Sequence, residues 1–263
     1  MVEQAPPGTQ FSNERLPVAP VSGTRNALLN GVGGRGDSRV STDAEHERMR
    51  VKAAQIGGPN HHLESHNHQG RLHDNIRRLA QLLEETHIIP CVRAPELIAR
   101  SARAPGKVVY FLFANPEHIG EMIETVSAAG KVPMVNVDLA AGFSRDEAAI
   151  SYLAHRQVQG IISTHIEPLR VGRDFGLFAI KRTFLLDSAA LDSCLHSLKQ
   201  FLPDALEIMP AIAAPHILPR LRQMYPQLPV IAGGLISNLR EIEDLVQQGV
   251  TSVSVSDFRL WIA

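Results

Sequence analysis

From residue 75 onward the chain alternates between short apolar runs and longer amphipathic stretches. The segment NIRRLAQLLEE has a helical period and leads into the apolar run HIIPCV (87–92). Seven further runs of the same kind follow: VVYFLF (108–113), VPMVNVDL (132–139), GIIST (160–164), LFAIKR (177–182), ALEIMP (205–210), PVIAGG (229–234) and TSVSVS (251–256). They are short, apolar and often β-branched, as strands are when both faces of a parallel sheet are covered. The stretches between them carry helix boundary signals. Asn115-Pro116 offers a cap and a first-turn proline, and Ser144-Arg145-Asp146-Glu147 has the form of a capping box. Asn238 can cap a helix carrying Leu239, Ile242, Leu245 and Val246, which Gly249 ends. Eight strands alternating with helices predict an α/β fold, a TIM-type (β/α)8 barrel over residues 75–263. Its last helix is missing or reduced to DFRLWIA (257–263). A doubly wound open sheet is the alternative, because periodicity does not establish closure.

Residues 1–74 break with this pattern. They hold one aromatic, Phe11, and the glycine cluster Gly31-Val32-Gly33-Gly34-Arg35-Gly36. Too little apolar surface is available there to offset the entropy of ordering, so a disordered amino-terminal extension is expected. Within it, HHLESHNHQGRLH (61–73) gathers His61, His62, His66, His68 and His73. Histidine-rich tracts bind divalent metals where a scaffold fixes the geometry. No scaffold is visible, and a solvated linker without metal is the expectation.

Composition narrows the classes. The hydrophobic fraction of 44% suits a protein with a sizeable core. Net charge is −1; the extension holds eight basic and eight acidic residues, leaving 18 and 19 for the body, which is therefore not a basic surface. Neither nucleic acid nor an anionic membrane is drawn to such a molecule by its overall field. Cys91 and Cys194 have no metal-ligand spacing and form no disulfide framework, which fits a reduced, intracellular setting. No run reaches the length of a membrane span, and MVEQAPPGTQ lacks the charged start and apolar stretch of a secretory signal. A cytoplasmic protein is expected; the sequence sets no oligomeric state.

In such a barrel the chemistry lies at the carboxyl ends of the strands. In strand order the candidates are Cys91, Asn115, Asn136 with Asp138, Ser163-Thr164, Lys181-Arg182, Glu207, Gly233-Gly234, and Ser254 with Ser256. Strand alternation lets only one of Lys181 and Arg182 face the mouth. Gly233 and Gly234 would admit an anion to bare backbone, Ser254 and Ser256 would add hydroxyls, and a helix starting near Asp257 would add its N–H groups. A plain turn is the other reading of the two glycines. Asp138 and Glu207 could serve as general bases, bind hydroxyls, or pair with cations. No nucleophile–base spacing is recognisable, so no catalytic residue is assigned; no cofactor is implied. His118, His155 and His216 fall on helices or loops away from the strand ends.

Several of these segments together resemble the glycerol-3-phosphate-responsive antiterminator family. The motifs are GIISTH (160–165), LFAIKRTFLLDSAAL (177–191), EIMPAIAAP (207–215), IAGGLI (231–236) and SVSDFRLW (254–261), with VDLAAGFSRDEAAI (137–150) ahead of them. The resemblance spans about residues 80–263. It implies a barrel that binds glycerol 3-phosphate and regulates glycerol-catabolism transcripts through an mRNA leader. Carried over by position, Gly233 and Gly234 would hold the phosphate beside Ser254 and Ser256. Asp138, Arg182, Asp187 and Glu207 would complete the strand-end set, and Ser163 and Thr164 lie in the matching Ser-Thr motif. Three positions depart from the family pattern: Asn136 stands in place of histidine, Ala211 in place of glycine, and Lys181 in place of glutamine. RNA binding comes from the resemblance alone. Arg170 with Arg173, Arg220 with Arg222, and the extension's Arg35, Arg39, Arg48 and Arg50 are the basic groups that could serve it. An enzyme acting on a phosphorylated substrate and a phosphometabolite-binding protein without RNA contact are the alternatives.

Overall fold

The computed structural model describes residues 61–262. The eight apolar runs become strands β1 (Ile88–Val92), β2 (Val108–Phe111), β3 (Val132–Asn136), β4 (Gly160–Ser163), β5 (Phe178–Phe184), β6 (Ala205–Met209), β7 (Val230–Gly233) and β8 (Ser252–Val255). They pair in sequence order, all parallel, and β8 returns to β1 with Ile88 opposite Val253. The sheet is closed, so the barrel holds and the open-sheet alternative does not. Helices α2 (Ile98–Arg103), α3 (Ile119–Ala128), α4 (Glu147–His155), α5 (Ile166–Asp174), α6 (Ser188–Gln200), α7 (Ala214–Met224) and α8 (Leu239–Gln247) fill the seven crossovers. Among the described residues a 3₁₀ turn, Phe258–Leu260, follows β8. Trp261 folds back there, its indole Nε1 donating to the Val255 carbonyl at 2.7 Å.

Each strand divides its side chains between two cores. Val109, Phe111, Ile161, Ala179, Leu206, Val230 and Val253 face the helices. Ile89, Cys91, Tyr110, Met134, Ile162, Ile180 and Ile231 fill the barrel. This period of two follows from the pleat, and it governs everything said below about the strand ends.

Among the described residues one helix precedes the barrel. Helix α1 runs His61–Glu84, so the stretch 61–74, expected as linker, is helical backbone. Its apolar positions Ile76, Leu79 and Leu83 are buried, three and four apart on one face. Leu79 and Leu83 join the inner cluster with Val108, Val132, Phe178 and Ala205, the first residues of their strands. Helix α1 therefore closes the amino-terminal end of the barrel, and Arg78 lies over the Phe178 ring there, 5.2 Å from its centroid. The extension's remaining expectations, for residues 1–60 and the side chains of His61, His62, His66 and His68, fall outside what is described. Among the described residues no group of His, Cys, Asp or Glu could hold a metal, and no helix is long and apolar enough to cross a membrane.

Helix starts differ in detail from the sequence signals. In the box at 144–147 the capping residue is Asp146, whose carboxylate accepts from Ala149 N–H at 2.9 Å; Ser144 donates to Asp146 instead. Asn115 accepts from His118 N–H at 2.9 Å, one turn before α3 begins. Asn238 caps α8 as expected, accepting from Glu241 N–H at 3.0 Å.

Near the same end of the barrel, Asp204 is fully buried before β6. It accepts from Ala179 N–H at 2.7 Å and lies 3.6 Å from Arg173 Nη2. Burial dominates over Arg173 and pushes its carboxyl up from 3.8 to about 6. The folded chain thus holds this proton more tightly than the unfolded chain, so the group stabilises at low pH and loses that contribution as pH rises through about 4–6. Asp204→Asn, which keeps an acceptor for Ala179, should be more stable than the parent at pH 8 by about 2–3 kcal/mol. The gap should close towards pH 4, as read from urea midpoints at both pH values; a gap that is the same at both would contradict the assignment.

Candidate functional site

Strand register sorts the expected site residues into two groups. On the inner face Arg182 sits opposite Glu207, and Gly233 opposite Ser254. On the outer face Ser163 sits opposite Lys181. The first group lies at the barrel mouth, and the second lies beside α5 and α6.

The inner group is built on a buried ion pair. Arg182 Nε donates to Glu207 Oε2 at 2.7 Å, with side-chain exposures of 8% and 0%. Ser254 Oγ donates to the other carboxylate oxygen, Oε1, at 2.7 Å. Each oxygen of Glu207 thus has a partner inside the protein, which fits a pairing role. Ser254's proton is committed to Glu207, so this hydroxyl can only accept from a ligand. Burial and the nearby Glu207 push the Cys91 thiol up to about 12, so it stays protonated at neutral pH. Burial, and then the nearby Glu207, hold the Tyr110 hydroxyl well above the usual tyrosine range, and that hydroxyl has no hydrogen-bond partner among the described residues.

The two glycines have different reasons. A Cβ on Gly233 would meet Ser254 Oγ at 2.3 Å and Glu207 Oε1 at 3.2 Å. Gly233 leaves room for the carboxylate–hydroxyl contact behind it. Gly234 has φ +81° and starts the loop over the mouth, with Leu235 also left-handed at φ +61°. A cavity of about 240 Å³ opens here, lined by Arg182, Arg93, Gly234, Leu235, Ser254, Ser256 and Asp257 among others. The N–H groups of Gly234, Leu235 and Ser256 take no backbone carbonyl among the described residues. Among the described residues Arg182 bonds only through Nε, leaving its two terminal nitrogens. These donors suit a small anion. The helix expected near Asp257 is absent as a donor. Its place is taken by the short 3₁₀ turn, capped by Asp257 itself, which also pairs with Arg259 at 2.6 Å.

The outer group is centred on Asp138, which accepts from Ser163 Oγ at 2.7 Å, Thr164 N–H at 2.6 Å and Thr164 Oγ1 at 2.8 Å. Burial opposes ionisation, but these bonds and His165 hold the carboxyl below its usual range. Asp138 ties two strand ends together, and no described contact joins it to the Arg182–Glu207 pair. Lys181 turns outward beneath it, its Nζ donating to the Thr164 carbonyl at 2.8 Å. A second cavity of about 790 Å³ opens there between α5 and α6. His165 and Arg145, which strand-end reading passed over, belong to this group; Arg145 Nη1 lies 3.8 Å from Asp138. Arg145 sits inside the VDLAAGFSRDEAAI segment and His165 ends GIISTH, so only their placement was hidden.

Other expectations resolve simply. Asp187 caps α6, accepting from Ala190 N–H at 2.7 Å. Asn136 turns the β3 loop by accepting from Asp138 N–H at 3.0 Å, and buried Ala211 supports the mouth loop through its N–H to Gly234 O at 3.3 Å. Arg173 and Arg222 donate to the carbonyls of Leu202 and Leu228, both at 2.7 Å, and Arg170 and Arg220 pair with Glu167 and Asp192. These four arginines are therefore engaged within the body. His118, His155 and His216 are exposed on helices or just before them.

The family model described as "Glycerol-3-phosphate responsive antiterminator" matches residues 88–261, the whole barrel. A glycerol uptake operon antiterminator regulatory protein from Listeria monocytogenes superposes with a TM-score of 0.61 at 26% identity, over 66% of this chain and 94% of that one. A glycerol uptake operon antiterminator-related protein from Thermotoga maritima gives 0.59 at 25% identity, over 66% and 96%. The uncharacterized protein YgcP of Escherichia coli is 28% identical over 70% of this chain and 95% of its own.

If Gly233 serves the contact behind it, Gly233→Ala should cost about 1–3 kcal/mol by overpacking. The loss should shrink in a Ser254→Ala background, where the clashing oxygen is gone. Thermal denaturation of the single and double variants measures the coupling, and strictly additive losses would contradict this role.

Proposed function

The chain belongs to the glycerol-3-phosphate responsive antiterminator family, a family of regulators rather than enzymes, and we propose that it is a metabolite sensor that binds glycerol 3-phosphate at the barrel mouth. The observation that carries this reading is the donor set around the 240 Å³ cavity. Arg182, with two terminal guanidinium nitrogens free of described partners, Arg93, and Gly234, Leu235 and Ser256, whose N–H groups take no described backbone carbonyl, all line one small space. The nearby carboxylates are neutralised, Glu207 by Arg182 and Asp257 by Arg259. A dianion entering therefore meets net positive charge. The cavity is smaller than the ~300–1,000 Å³ of sites for drug-sized ligands, which suits a phosphorylated triol.

Binding would be read out on a leader RNA of glycerol-catabolism transcripts, in the cytoplasm where they are made. With a net charge of −1 and Arg170, Arg173, Arg220 and Arg222 engaged within the body, the chain would hold RNA through specific contacts rather than a general field.

Glycerol 3-phosphate should raise the melting temperature by roughly 5–10 °C at a hundredfold excess over Kd, and glycerol should not. Ser256→Asp puts a carboxylate on an exposed position of the cavity wall and should abolish the shift while leaving the unliganded melting temperature near the parent's. A full shift in that variant would place the phosphate elsewhere. Filter retention of a leader RNA that depends on glycerol 3-phosphate tests the regulatory step; ligand binding without retention would leave a sensor that does not act through RNA.

A further inference from the structure

The cavity beside the barrel holds a buried ammonium, Lys181, with no ion-pair partner among the described residues. Lys181 is only 8% exposed, and its ammonium bonds the carbonyls of Thr164 at 2.8 Å and Arg182 at 3.2 Å. Among the described residues no carboxylate lies within ion-pair distance of it. Asp138, the acid nearest in effect, is already taken up by Ser163 and Thr164. Buried lysines are almost always paired, because an ammonium removed from water loses its hydration. Burial accordingly lowers the Lys181 pKa, with Cys194 and Asp138 opposing only in part. Two carbonyls leave the third ammonium hydrogen without a partner, and Lys181 lines a space of about 790 Å³. An anion there would complete the set.

Other groups lining the space extend the chemistry. Arg145 stands across it, its Nη1 3.1 and 3.4 Å from the two ring nitrogens of His165. So even a spacing puts the guanidinium over the imidazole face rather than in its plane. Thr183 is among the residues of the same wall, its Oγ1 buried beside Cys194. Phe184, the last residue of β5, is 50% exposed on the wall. A half-exposed aromatic ring beside cationic donors is the pairing that stacks a base and holds its phosphate. The space is also about three times the mouth cavity, far more than an inorganic anion needs.

We infer that this lateral cavity is a second ligand site, distinct from the mouth, that takes a nucleotide with its phosphate on Lys181 and Arg145 and its base on Phe184. A free nucleoside monophosphate and a nucleotide within single-stranded RNA share this chemistry. Strand alternation turns the Lys181 and Arg182 side chains to opposite faces of β5, so the two sites can be perturbed separately although Arg182 borders both cavities.

The test titrates the full chain with a nucleoside 5′-monophosphate, with a fluorescently labelled mixed-sequence single-stranded oligoribonucleotide, and with inorganic phosphate. Lys181→Met and Phe184→Ala should each weaken the nucleotide-bearing probe by at least about fivefold, the low end of what loss of a stacked base gives. The exposed Phe184 variant guards against a folding defect in the buried one. Ser256→Asp should leave nucleotide binding intact, which separates this inference from the glycerol 3-phosphate reading of the mouth. Binding of the monophosphate alone identifies a free metabolite, and binding of the oligonucleotide identifies RNA; either supports the site. Nucleotide binding unchanged in both variants, binding of inorganic phosphate only, or no binding of any probe overturns it.

Discussion

A guanidinium and a carboxylate shut inside an eight-stranded barrel constrain everything around its mouth. Glu207 is fully buried and Arg182 nearly so, so the pair holds only where further hydrogen bonds help to meet the buried carboxylate. Ser254 supplies one, and Gly233 exists to let it do so. The pair then presents two guanidinium nitrogens upward, fixed in direction by the bond at Nε. The mouth thus has donors held from below, and the exposed Arg93 adds its net positive charge. Preorganised donors of this kind lose little freedom when an anion arrives.

The same strand carries the second consequence. Because alternate residues of β5 face opposite ways, Arg182 enters the barrel while Lys181 faces α5 and α6. One cation is neutralised and serves a tight cavity; its neighbour is left without a counter-charge in a wide one. Asp138 bridges the ends of β3 and β4 and steadies the rim between these places, so residues that read as one constellation along the chain occupy two.

What the sequence disclosed follows the range of the forces involved. Strand existence and barrel closure rest on periodic burial, and all eight runs were visible in it, with ends differing by a few residues. The caps rest on local side-chain chemistry, and Asn238 was plain while Asp146 hid behind Ser144, since both can accept from the same turn. The roles of Gly233 and Gly234 were beyond it. One is dictated by atoms of β6 and β8, remote in sequence, and the other by the sign of a single dihedral angle. Equally hidden was the helical backbone of 61–74, whose polar, histidine-rich composition shows no period; Leu79 and Leu83, further along, anchor α1 under the barrel. Cross-barrel partners such as Ser254 on Glu207 can be read only once closure and register are known.

The central claim is that the mouth, floored by Arg182 and Glu207, is where the phosphate sits. A crystal structure of the chain grown with glycerol 3-phosphate tests it most directly. The phosphate should lie between the terminal nitrogens of Arg182 and the N–H groups of Gly234 and Leu235, with Gly233 untouched. A phosphate found against Lys181 in the lateral cavity, with the mouth empty, would contradict the account.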